Sequence, residues 1–191
     1  MKRYYFVILS LLVLADCVAT GPKKTAVEYK ALYDKTVSHW TSYKDVERFL
    51  KSNFIFDYNR SAMILNRLRS MGMAGFLVRH HHKLFDNPRG FCADSANFAL
   101  NALDDINPDY KARSVFIYNK MGSPHHWVTA FEDSGKLYVM DYGTGDKWVE
   151  MQGTHGPYQS LSEYEQFLST LNIHSFQVKY VVYRVFPGSV D

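Results

Sequence analysis

The chain has 191 residues, 47% hydrophobic and 21% charged, a globular composition that excludes wholesale disorder. Twenty-two Lys and Arg against 19 Asp and Glu give a net charge of +3, too small to point to a nucleic-acid partner. Two cysteines exclude a disulfide scaffold.

Lys2 and Arg3 precede an almost unbroken apolar run from Tyr4 to Ala15. A dozen residues is short of the roughly 20 needed to span a bilayer, so the run reads as a leader for export. Leu14-Ala15-Asp16-Cys17 resembles a bacterial lipobox, which makes Cys17 a lipidation candidate. Ordinary cleavage near Ala19 and a retained anchor are the other readings. The expected organisation is a leader at 1–19, a linker at 20–25 and one domain at 26–191. The location is the cell envelope, through a lipid anchor, or the secreted fraction. Either cleavage leaves Cys92 as the one conventional thiol. With Lys2, Arg3 and Asp16 removed, the remainder is nearly neutral.

Val27 to Leu50 has helical spacing with a break, and Thr41-Ser42 supplies a cap. Arg60 to Arg79 repeats the helical pattern, interrupted at Gly72 and Gly75. His80-His81-His82 invites a metal reading. Consecutive residues on a helix or strand cannot all face one ion, so the expectation is a solvated basic segment with Arg79 and Lys83. Asp86 to Gly90 is a turn. A helix then begins at Cys92, with Ala93, Ala96, Ala99, Leu100 and Leu103 along it, and stops near Asn107-Pro108.

The pattern next turns to strands: Ala112 to Tyr118, Trp127 to Phe131 and Leu137 to Tyr142. Asp133-Ser134-Gly135 reads as the hairpin loop between the last two. A short helix from Leu161 to Leu171 and a strand from Phe176 to Phe186 complete an α+β order, with helices before a mostly antiparallel sheet.

Three segments carry chemistry: Gly90-Phe91-Cys92, Pro124-His125-His126-Trp127 and Met140-Asp141-Tyr142-Gly143. A thiol near its unperturbed pKa of about 8.5 is mostly protonated at neutral pH. A helix N-terminus favours its anion. A neighbouring histidine takes its proton. A carboxylate beyond the histidine fixes the tautomer. Cys92, His125 or His126, and Asp141 fill these roles.

Hairpin parity bears on the choice of histidine. A three-residue loop, Asp133 to Gly135, pairs residues whose numbers sum to 268 and puts His125 on the face of Asp141. A two-residue loop, Ser134-Gly135, changes the sum to 269 and selects His126. The three-residue loop and His125 are preferred.

Gly90, Cys92, Asp94 and Ala96, then Ala112-Arg113-Ser114-Val115, then His125-His126-Trp127 and Asp141, are similar in order to transglutaminase-like proteins of the papain-like superfamily. The resemblance covers roughly Phe85 to Gly143. Its His-x-Trp spacing also selects His125. It implies a papain-like core, with the cysteine helix packed on the sheet, and a Cys–His–Asp triad acting on a peptide or protein amide through a thioester. Water makes such a protein a peptidase or amidase; an amine makes it an acyltransferase. The Cys92 backbone N–H and Asn87 are candidate oxyanion donors, and Trp127 and Tyr142 are candidates for groove lining. Asp94 reads as a first-turn carboxylate. No metal or other cofactor is expected, and the membrane is met only through a lipid anchor. The alternatives are an envelope-anchored binding module on the same scaffold and a structural lipoprotein without a groove.

Overall fold

A computed structural model describes residues 24–191. The expected leader, Cys17 and most of the expected linker lie outside the described residues. Thr25 caps α1 (Ala26–Val37): its hydroxyl accepts from Glu28 N while its own N–H donates to Glu28 Oε2. Ser42 caps α2 (Tyr43–Asn53), where Asp45 Oδ2 accepts from Ser42 N. The expected break between the two falls at residues 38–42.

The bridge β1 (Ile55–Phe56) leads into α3 (Tyr58–Met71). The helical pattern expected to run on to Arg79 ends at Met71. Gly72 takes φ +60°, a 3₁₀ turn follows, and Leu77–Val78 forms β2. The segment expected to be solvated is instead half-buried, and α4 (His81–Asp86) begins within it. The bridge β3 (Arg89–Gly90) separates α4 from α5 (Cys92–Ile106).

Then come β4 (Arg113–Asn119), β5 (His126–Asp133), β6 (Lys136–Asp141), a 3₁₀ segment at Asp146–Met151, and β7 (Gly153–Tyr158). The last elements are α6 (Leu161–Thr170), β8 (Val178–Tyr183) and β9 (Ser189–Val190). The strand expected from Phe176 to Phe186 is thus confined to its middle.

The main sheet is antiparallel throughout, in the order β7-β6-β5-β4-β8. Two small parallel pairs, β1 with β3 and β2 with β9, brace the segment before α5. Strand alternation divides the core. Phe131 and Met140 face α5 and pack with Phe98, Leu103, Leu50 and Tyr33. Val128, Ala130 and Val139 face the other way, onto Tyr164 and Leu168 of α6. A third cluster, with Phe76, Phe91, Phe116 and Trp127, fills the space between α3 and the start of α5.

Small residues let α5 lie close to the sheet. Ala93, Ala96, Ala99 and Ala102 are all buried, and Thr129 Oγ1 of β5 donates to the Ala96 carbonyl at 2.6 Å.

The β5–β6 register corrects the preferred loop. Asp133 pairs with Lys136 and Thr129 with Met140, so opposed residue numbers sum to 269. The loop is Ser134-Gly135 alone. Both residues have positive φ, 51° and 72°, as the tightest hairpin turn requires.

Candidate active site

The site forms where α5 begins, β5 begins and β6 ends. A buried ionic frame fixes the start of α5. Asp94 is fully buried and accepts from four donors: Arg60 Nε at 2.6 Å, Arg60 Nη2 at 3.1 Å, Arg79 N at 2.6 Å and Phe91 N at 3.1 Å. Burial alone would lower the pKa of the Arg60 guanidinium. The carboxylates of Asp94 and Asp191 reverse this and raise it. Gly90 leaves room for the frame, because a Cβ there would lie 2.6 Å from Asp94 Cβ. Asp94, read from the sequence as a helix-start carboxylate, therefore ties three separate segments to the turn that presents Cys92.

Cys92 is the first residue of α5, so its backbone N–H has no acceptor within the helix. Among the described residues it is the one free cysteine, and it is partly exposed. Gly143, just past β6, packs against it: a Cβ on Gly143 would lie 2.5 Å from Cys92 Cα.

The register places His126, not His125, on the face of Asp141. His126 Nε2 lies 2.7 Å from Asp141 Oδ2, and each side chain is 1% exposed. The other carboxylate oxygen accepts from Gly143 N at 3.1 Å. With Nε2 engaged, Nδ1 is the ring nitrogen left for the thiol. Burial alone would make His126 less basic. The charge and hydrogen bond of Asp141, with a smaller contribution from Cys92, overcome burial and push its pKa up to about 10. Trp148 meets the His126 ring edge-on at 5.6 Å.

His125 points elsewhere. It stacks on Tyr118 at 4.3 Å, and its Nδ1 accepts from Asn119 N at 3.3 Å. Burial and the nearby Arg184 charge lower its pKa. Its ring walls the cleft.

Two cavities meet at Cys92 and share Ser61, Leu65, Pro124 and His125. One, of about 100 Å³, is lined by Ile64, Phe76, Phe91, Phe116 and Trp127. The other, of about 270 Å³, is lined by Tyr58, His126, Gly143, Thr144, Lys147 and Trp148.

Two sequence candidates are not brought to the site. Asn87 is exposed at the C-terminal end of α4 and lines neither cavity. Tyr142, the residue after β6, points toward α2, where its hydroxyl donates to Glu47 at 3.2 Å, and burial pushes its pKa up to about 12. Thr144 went unrecognised in the sequence. It is 5% exposed, and its buried hydroxyl has no hydrogen-bond partner while its residue lines the larger cavity. The one available signal was its place in Gly-Thr-Gly directly after the Asp141 strand.

No family model and no curated protein matches this chain.

Proposed function

We propose that the protein is a transglutaminase-like cysteine enzyme acting on amides, with Cys92 as nucleophile, His126 as proton carrier and Asp141 as the group that orients His126. The observation that carries this reading is the convergence of a partly exposed thiol at a helix start with a buried His–Asp pair, at the meeting point of two cavities.

In this reading the thiol proton resides on His126 Nδ1, giving an imidazolium beside a thiolate. The thiolate sulfur attacks the amide carbonyl carbon, and the oxyanion faces the backbone N–H of Cys92. His126 gives its proton to the leaving nitrogen, the C–N bond breaks, and a thioester remains on Cys92. A water or amine then attacks the thioester and gives its proton to His126, and the thiolate departs. Water as acceptor yields peptidase or amidase chemistry; an amine yields acyl transfer. Thr144 offers the substrate a hydrogen bond in the larger cavity, and the aromatic cavity takes an apolar group.

The arrangement of α5 against an antiparallel sheet supports a papain-like core. With the leader-like start, the proposal places this chemistry in the cell envelope or the secreted fraction.

An activated aryl ester, which needs little leaving-group assistance, tests the covalent step. Acid quenching followed by intact-mass and peptide mapping should find one acyl group on Cys92 in the natural protein and none in Cys92→Ala. Failure to acylate Cys92 at any pH between 6 and 9 sinks the proposal.

A further inference from the structure

Outside this site the structure gathers three imidazoles. Among the described residues, His80, His81 and His82 form the one group of three or more His, Cys, Asp or Glu side chains whose ligand atoms converge, all within 4.8 Å of one another. Their ring centroids are 4.5, 4.6 and 4.1 Å apart.

Helical periodicity constrains only His81 and His82, which are consecutive in α4. His80 precedes α4 with extended backbone (φ −58°, ψ 134°), so its side chain is not bound to the spacing of the helix that follows. Tyr33 of α1 backs the cluster, with its ring 5.0 Å from His81 and 4.8 Å from His82.

We propose that His80, His81 and His82 form a binding site for a zinc-class divalent cation, with the remaining coordination position open to water. Imidazole nitrogen suits such borderline ions, and three protein ligands plus one solvent ligand is a common arrangement for zinc.

His80 also caps α4, its Nδ1 accepting from His82 N, and the rings of His81 and His82 pack on Tyr33. The contact from His82 N to His80 Nδ1 is long, 3.3 Å, and ligation at either nitrogen of His80 replaces it. Asp34 is the acidic group facing His81 and His82, with Asp105 also near His82. Lys30 and Lys83 are the opposing cations. The cluster opens α4, whose Leu84 is fully buried among α1 and α5 residues, so a bound ion would brace the segment that leads into β3 and Cys92.

The test uses the full chain carrying Cys92→Ala, so that the thiol cannot take the metal. The protein is stripped with chelator, desalted and titrated calorimetrically with zinc chloride at pH 7.5. One ion per chain with micromolar or tighter affinity is expected. His80→Ala, His81→Ala and His82→Ala should each weaken it at least tenfold, and His39→Ala, an exposed residue of no cluster, should leave it unchanged. Should a variant unfold, the imidazole resonances of the Cys92→Ala parent still report: zinc should shift three of them together, and no shift overturns the proposal. No binding at 100 µM zinc, or binding indifferent to all three substitutions, overturns the proposal.

Discussion

His126 Nε2 and Asp141 Oδ2 are 2.7 Å apart in a place almost closed to water. Removing the carboxylate leaves burial as the dominant influence on the ring. Asp141→Asn is therefore expected to lower the His126 pKa from about 10, favouring the neutral ring. Histidine side-chain NMR across pH 5 to 10.5 reads this directly. A ring in the natural protein that titrates near 6.5 contradicts the electrostatic account.

The same pair predicts a pH-dependent stability. The folded pKa of His126 is raised above its ordinary 6.5. Its contribution is therefore fully present below about pH 6.5 and is lost as pH rises toward about 10. Denaturation midpoints should fall across that window in the natural protein and fall less in Asp141→Asn. Parallel curves for the two proteins count against the assignment.

Gly143→Ala is expected to disturb the site through packing alone. The added Cβ would sit 2.5 Å from Cys92 Cα, a backbone atom that cannot swing away. Overpacking of this kind costs about 1–3 kcal/mol. Cys92 alkylation should also slow at least tenfold. A variant that melts and alkylates like the natural protein shows that the close approach is not as described.

Asp94→Ala leaves the nearly buried Arg60 and two backbone N–H groups without their main acceptor. Loss of one partner of a buried pair costs about 3–5 kcal/mol. For a chain of this size that lowers Tm by roughly 6 to 20 °C. A melt within 2 °C of the natural protein contradicts the framing role of Asp94.

Thr144→Val removes a buried hydroxyl that has no partner within the protein. If that hydroxyl serves substrate, KM should rise about two- to tenfold, the scale of one neutral hydrogen bond, with kcat little changed. An unchanged KM would assign Thr144 to structure alone.

The sequence was most informative where one physical signal dominated. The start of α5 at Cys92, its stop before Pro108 and the order of strands β4 to β6 follow from small-residue spacing, a helix breaker and alternation. The histidine assignment turned on a single backbone angle. Asp133-Ser134-Gly135 fits a loop of either two or three residues, and Ser134 at φ 51° is a conformation that the residue type alone does not announce. That one-residue difference reversed which histidine faces Asp141. β7 carries no strand signal in the sequence because Gly153, Gly156 and Pro157 break any alternation at this edge strand. Nearness in sequence suggests Asn87 and Tyr142, but Asn87 lines neither cavity and the Tyr142 hydroxyl is taken by Glu47.

The central claim is that His126, rather than His125, activates Cys92. Iodoacetamide alkylation of Cys92 at pH 6, followed by mass spectrometry in the natural protein, His125→Ala and His126→Ala, tests it most directly. The account predicts alkylation faster than free cysteine in the natural protein, a rate within about threefold of that in His125→Ala, and a loss of at least a hundredfold in His126→Ala, a difference of about 2.7 kcal/mol. Equal rates in the two variants, or a natural protein no faster than free cysteine, would contradict it.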